Sequence, residues 1–387
     1  MQSFKAETDH FLIRLIHSVN LEFDRNWEAK TGSVGLLQGN TGVILFLNEL
    51  NTFNHEIEVS FLVKKLSRRI KDEWNQGLRQ KTFIRGSSGI LFAQRYLEAT
   101  KSDIELLSYT ESDIAKLIHW AAIYFSSNNI DFLHGGSGLT HSVFCFDTIS
   151  LENENKLISA LLSTVIKTKQ GHSWMNLDQI QTESNFEFNI GMAHGVLPII
   201  NLLSSFTSHQ ASELLNPLLN DVFFRFKQIC NKLISENNEN LFSCRSHYLS
   251  WCNSPICAAL ILLRIFDKKE MKFEYIEVET LTVAYLDFVD NLNLEVNDAC
   301  LCHGVTGVIV ILEELFELTQ NKKIYMHLLN WKDLGINLLL QEPLDDIDLE
   351  EEGILTGMYG KALGLMHLTQ PIDLLKDLLN LRVYKKM

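Results

Sequence analysis

Two short segments in the last third of the chain carry soft metal ligands, Ser250-Trp251-Cys252 and Cys300-Leu301-Cys302-His303-Gly304. Two thiolates and one imidazole fill three corners of a tetrahedral zinc site and leave the fourth open, the arrangement of a catalytic rather than a structural centre. Cys252, Cys302 and His303 are therefore the expected ligands of one Zn2+ per chain, although 50 residues separate the two sulfurs. The adjacent Cys302 and His303 can ligate together only in a turn or at a helix start, and Gly304 favours such a place. A lone cysteine is ordinarily a buried apolar residue. What sets this pair apart is that both sulfurs occupy the same place in a repeat.

That repeat supplies the elements that must position them. Gly39-Asn40-Thr41-Gly42, Gly86-Ser87-Ser88-Gly89, Gly135-Gly136-Ser137-Gly138, Gly304-Val305-Thr306-Gly307 and Gly357-Met358-Tyr359-Gly360 each precede an apolar run compatible with a helix. Two degenerate copies fill the gap: His194-Gly195-Val196-Leu197-Pro198 keeps the first glycine, and Ser254 and Cys257 stand at both glycine positions of the other. Anchors at 39, 86, 135, 195, 254, 304 and 357 thus recur every 47 to 60 residues, as seven units. Runs such as Val43-Ile44-Leu45-Phe46-Leu47 are too continuously apolar for a surface helix and read as inner, buried helices. The segment before each anchor, for example residues 104–126, reads as an outer helix with one polar face.

Seven two-helix units can stack into an open solenoid or close into a ring. An open solenoid needs polar capping repeats at its ends, and none is present here. The expected fold is all-α, a single α/α toroid over residues 1–387, with the Gly-x-x-Gly ends gathered around one mouth where glycine permits close backbone approach. Residues 168–188 lengthen one connection and include Phe186-Glu187-Phe188, a possible short strand, while 344–352 form an acidic run that reads as a solvated loop.

Composition excludes several classes. The net charge of −14 disfavours a nucleic-acid backbone or an anionic membrane as principal partner. The most apolar stretches, 256–266 and 308–318, are interrupted by Arg264 and by Glu313 and Glu314, so no stable membrane insertion is expected. Acids in the first ten residues leave no signal-peptide pattern. Seven cysteines, an odd count, argue for free thiols or metal ligation rather than a disulfide framework. A cytoplasmic monomer is the expectation.

Through the seven units, Trp251-Cys252, Cys302-His303-Gly304 and Met192-Ala193-His194-Gly195, the chain resembles the lanthionine synthetase C-like cyclases over essentially its whole length. The resemblance implies an α/α toroid with a central zinc held by two Cys and one His. It also implies that a cysteine thiol of a dehydrated precursor peptide adds to dehydroalanine or dehydrobutyrine in the same peptide. A leader segment on that peptide, which residues 168–188 would help to hold, and a dehydratase are the partners to expect. His194 is the expected catalytic proton carrier, since imidazole shuttles protons near neutral pH. The family pattern marks Asp131, four residues before Gly135, as its catalytic companion, although a solitary Asp at a helix start more often serves as an N-cap. His134 and His141 are weaker candidates.

Two departures stand out. The family often carries Arg four residues before the first zinc Cys, where this chain has Tyr248, and Tyr-Gly directly after it, where this chain has Asn253-Ser254. Arg245, His247 or Asn253 would have to replace them, or the protein handles a different peptide; the alternative is a non-catalytic relative that keeps zinc and binds a peptide, glutathione or a partner enzyme. Other toroidal enzymes, such as a zinc-dependent prenyltransferase subunit or a glycoside hydrolase, fit less well. A hydrolase needs two inward carboxylates, and Asp131 alone stands at an anchor.

Overall fold

The computed structural model describes residues 2–26, 34–77, 80–146, 150–174, 189–236, 244–341 and 353–382. Seven outer helices, α1 (Gln2–Asn26), α3 (Ser60–Asn75), α5 (Glu111–Ser126), α7 (Leu151–Leu162), α9 (His209–Glu236), α11 (Lys272–Asp290) and α13 (Lys322–Leu340), alternate along the chain with seven inner ones. The inner set is α2 (Asn40–Phe53), α4 (Ser87–Ala99), α6 (Gly136–Phe144), α8 (Leu197–Ser205), α10 (Pro255–Lys268), α12 (Val305–Thr319) and α14 (Met358–Thr369). Burial separates the two layers as the apolar patterns require. In α4 every residue from 87 to 97 is buried, whereas α3 buries only Leu62, Leu66 and Ile70, a stripe one turn apart.

The ring is closed by backbone hydrogen bonds between the segments just before the inner helices. The Leu37 amide donates to the Ile84 carbonyl at 3.1 Å, Ile84 to Leu133 at 3.2 Å, Phe132 to Ala193 at 2.9 Å, and Ala193 to Cys252 at 3.3 Å. Trp251 then donates to Cys302 at 3.0 Å, Cys302 to Leu355 at 3.1 Å, and Leu355 back to Leu37 at 3.4 Å. All seven units take part, and α14 of the last unit packs on α2 of the first. The expectation of closure rather than linear stacking therefore holds, because the backbone groups that an open end would expose are paired around the circle.

The glycines have two separate tasks. Gly39, Gly86, Gly135, Gly304 and Gly357 cap the N-termini of their inner helices, Gly39 at φ 145°, a region that side chains rarely adopt. The second glycine of each motif lies under a carbonyl six residues earlier: a Cβ on Gly42, Gly89, Gly138, Gly307 or Gly360 would overlap the oxygen of Leu36, Phe83, Phe132, Leu301 or Ile354. In the fifth unit the Ser254 hydroxyl caps α10 by accepting from the Ile256 amide, and the Cys257 thiol lies 3.7 Å from the Trp251 carbonyl. The fourth unit departs most, with α8 beginning at Leu197 and Pro198 in its first turn. Gly360→Ala is expected to destabilise the fold by about 3 kcal/mol, since a buried backbone must shift. A denaturation midpoint within error of wild type would contradict this account.

Beneath the hydrogen-bonded ring lies an aromatic layer in which Phe83, Phe92 and Phe132 surround the fully buried His141 ring at centroid distances of 5.2 to 5.4 Å. The chain's last described segment, with α15 (Asp373–Leu378), seals the barrel from the far side. His141 Nε2 bonds the Asp377 carbonyl at 2.8 Å, Trp251 Nε1 donates to the Leu379 carbonyl at 2.8 Å, and Asn201 Nδ2 donates to Asn380 Oδ1 at 2.8 Å. Lys376 pairs with Glu314 at 2.6 Å and with Glu317 at 3.0 Å. One short segment thus ties four inner units together.

Burial pushes the His141 imidazole down to about 4, against the opposing pull of the Asp377 carbonyl. Below pH 6.5 the unfolded chain takes up a proton that the folded one refuses, so stability is intact above 6.5 and falls as pH drops to about 4. A depression of this size is worth on the order of 3 kcal/mol. His141→Gln, which keeps an N–H donor but does not titrate, is expected to flatten that limb of the stability profile. An unchanged limb would remove His141 as its cause.

The lengthened connection contains a small antiparallel pair, β1 (Ile166–Lys167) and β2 (His172–Ser173). It docks on the outer layer, where Thr168 Oγ1 donates to Asp221 Oδ1 of α9 at 2.6 Å. Phe186-Glu187-Phe188 and the acidic run at 344–352 lie outside the described residues. Among the described residues no helix is long and apolar enough to cross a membrane.

Candidate metal and peptide site

In every unit the residue just before the anchor is solvent-accessible. Gln38, Arg85, His134, His194, Asn253, His303 and Thr356 are all exposed or half-buried, while the anchors and the residues two places before them are buried, apart from the half-buried Gly357 and Cys252. The helical repeat therefore projects a rim of seven side chains over a closed backbone ring.

Units five and six bring the three expected ligands together. One donor atom each from Cys252, Cys302 and His303 lies within 4.8 Å of the others. The Cys252 thiol is half-buried and Cys302 is 9% exposed, so the cluster opens onto the rim. Asp298, which lies outside the sequence expectation, and His247, a candidate from the sequence, complete its surroundings. Asp298 Oδ2 lies 2.9 Å from His303 Nε2, and its Oδ1 accepts from the Cys300 amide at 2.8 Å. His247 stands edge-on to His303 with centroids 4.9 Å apart, its Nε2 3.8 Å from Asp298 Oδ2. Asp298 occupies His303 Nε2, which leaves Nδ1 as the nitrogen to offer a metal. The signal that could have found Asp298 is its place just ahead of Cys300, where an Asp caps a turn by accepting the amide two residues on.

Electrostatics at the cluster favour a cation among the donors. A bond from the Cys302 thiol pulls Cys252 well below the usual thiol range, helped by His303 and Ser250 against the opposing effect of burial. Cys302 is held far above the usual thiol range by the same contact and by burial. His303 is raised to about 12, first by the bond to Asp298 and then by Cys252. Burial acts to raise Asp298, but the bonds from His303 and the Cys300 backbone overcome it and hold the carboxyl well below its usual range. The first sulfur loses its proton easily and the second only with difficulty. A divalent ion would supply the positive charge the second thiolate needs, so this donor set fits zinc.

The other expected pair also meets. Asp131 Oδ2 lies 2.6 Å from His194 Nδ1, and Asp131 Oδ1 accepts from the His134 amide at 2.7 Å. The turn bond anchors the carboxylate, and the carboxylate fixes the imidazole with Nε2 pointing away from it. The Ala193 to Cys252 backbone bond sets this pair beside the sulfur cluster. Asn253 Oδ1 accepts from Asn189 Nδ2 at 3.0 Å. His134 is exposed on the rim, while His141 is buried below it.

Arg245 does not replace the missing arginine. Its guanidinium lies over the Trp331 ring at 5.4 Å and donates to the Asp290 carbonyl at 3.4 Å, both in the outer layer. Tyr248 is fully buried and packs against Phe288, centroids 6.2 Å apart, so its hydroxyl is not offered at the mouth. All seven cysteines are free thiols, and burial pushes Cys230 and Cys257 above the usual range.

The family model described as lanthionine synthetase C-like protein matches residues 31–379. Among solved structures, nisin cyclase superposes with a TM-score of 0.66 at 17% sequence identity, covering 95% of this chain and 96% of that one. No curated protein matches the chain.

Proposed function

We propose, because the chain belongs to the lanthionine synthetase C-like family, that it closes thioether rings in a dehydrated peptide by adding a cysteine thiol to dehydroalanine or dehydrobutyrine. The observation that carries this reading is the convergence of Cys252, Cys302 and His303 within 4.8 Å at an open rim. Zinc held by these three residues would lower the pKa of a substrate thiol and so furnish the thiolate, the nucleophilic form.

The chain's own residues do the rest. Asp298 holds the His303 ring in its ligand orientation through the bond at 2.9 Å. Asp131 holds the His194 ring through Nδ1, and Nε2 is the nitrogen that takes the thiol's proton and returns it to the α-carbon. The closed backbone ring keeps both groups on one rigid frame, which preserves their spacing during reaction. The net charge of −14 suits a neutral or cationic peptide.

The deciding experiment incubates zinc-loaded protein with a peptide containing one dehydroalanine and one cysteine, then counts free thiols by alkylation and mass spectrometry. Thiol loss without a change in peptide mass before alkylation is the expected outcome. Retention of the thiol at long times would favour a second reading, peptide or glutathione binding without turnover. That reading draws on the buried Tyr248 and on Asn253 standing where the family carries arginine and tyrosine.

A further inference from the structure

Thioether closure passes through an anion. As sulfur bonds to the β-carbon, the Cα=Cβ pair shifts toward the neighbouring carbonyl and leaves an enolate oxygen, which needs a donor or a cation. Tyr248 is buried and Arg245 is turned to the outer layer, so neither meets that oxygen. Among the seven rim side chains, Arg85 alone carries a permanent positive charge.

The order of the hydrogen-bonded ring fixes where Arg85 stands. Counting around the circle from Leu37 through Ile84, Leu133, Ala193, Cys252, Cys302 and Leu355, the unit of residue 84 lies opposite the gap between the units of Cys252 and Cys302. Arg85 is therefore rooted across the ring from the sulfur cluster, with the unit of His194 on the arc between them. Seven hydrogen-bonded segments spaced about 4.8 Å apart make a ring about 11 Å across, and an arginine side chain rooted on the circle is long enough to reach its centre. Arg85 is exposed, and its Nε donates to Gln38 Oε1 at 2.8 Å, a bond that sets the plane of the guanidinium.

We propose that Arg85 binds the enolate oxygen of the dehydro residue during ring closure, an assignment that rests on the cyclase reading above. The bookkeeping is complete without another reactant: the thiol proton passes to His194 Nε2, sulfur bonds to the β-carbon, and the π pair moves to the oxygen held by Arg85. The enolate then collapses as the α-carbon takes the proton back from His194. This position replaces the arginine that the chain lacks at Tyr248, from the opposite side of the mouth.

The test compares zinc-loaded wild type with Arg85→Gln and Arg85→Lys on the same dehydroalanine and cysteine peptide. Arg85→Gln is expected to lower kcat on the order of 10²-fold while KM changes by less than about threefold, since the contact forms only in the transition state. Arg85→Lys should recover part of the loss, and zinc content and melting midpoint should match wild type because the side chain is exposed. Wild-type turnover with Arg85→Gln within twofold in kcat, or with only KM raised, overturns the Arg85 assignment and leaves the cyclase standing. Zinc loss or unfolding in both variants likewise overturns it in favour of a structural role. Zinc-loaded wild type that consumes no thiol overturns the cyclase reading and this inference together.

Discussion

Cys302→Ala is expected to release the metal. Elemental mass spectrometry of the purified protein should find about one zinc per chain in wild type and close to none in the variant. Zinc bound by a Cys2His set draws much of its affinity from the second thiolate, and here the two sulfurs lie within 4.8 Å of each other. Removing one leaves a thiolate and an imidazole, too few donors to hold the ion at working concentrations. Ring closure should fall about 10³-fold or more, the several kcal/mol that a Lewis acid supplies at 1.36 kcal/mol per factor of ten. Asp298→Asn is a graded companion: it keeps the shape but weakens the hold on His303 Nε2, and zinc affinity should drop about 10- to 100-fold. Wild-type zinc content in Cys302→Ala would dismiss the cluster as a metal centre, and Cys252 and Cys302 would revert to packing residues.

The second large effect concerns His194. His194→Asn is expected to lower kcat for ring closure between about 10²- and 10⁴-fold, with zinc content unchanged, since the imidazole is not among the three clustered ligands. Asp131→Asn should cost less, because it withdraws only the group that orients the ring. The two losses should not add: once His194 is gone, Asp131 has nothing to orient, and the double variant should match His194→Asn alone. Fully additive losses would show that the carboxylate acts on its own. Asp131 also accepts the His134 amide at 2.7 Å, so a modest stability cost belongs to that bond and is separable by a denaturation midpoint.

Layers, repeat count and the three residues whose donor atoms cluster were legible in the chain alone. These are properties of short windows: continuous apolar runs make inner helices and single stripes make outer ones, whereas the carbonyl that each second glycine admits is one six residues earlier and not the neighbouring helix that its sequence suggested. Cys252 and Cys302 share a register, so a repeat of fixed length sets them on neighbouring units before any contact is known. The Asp131–His194 contact was within reach for the same reason, since both precede anchors of adjacent units.

The directions of the side chains around the clustered donors were not legible in the chain and came with the packed fold. Arg245 and His247 are two residues apart, yet one lies over Trp331 in the outer layer and the other meets His303 at the mouth. Both residues lie in the short 3₁₀ turn from Arg245 to Leu249, which packs against α11 and α12. Asp298 was missed because an Asp before a turn has an ordinary capping role, and its second oxygen acquires meaning only when His303 folds back over it. The position of Arg85 opposite the sulfurs depends on seven hydrogen bonds closing in one order. Closure is a property of the whole circle: the curvature contributed by every inner helix must sum to one turn, and no window of residues contains that sum.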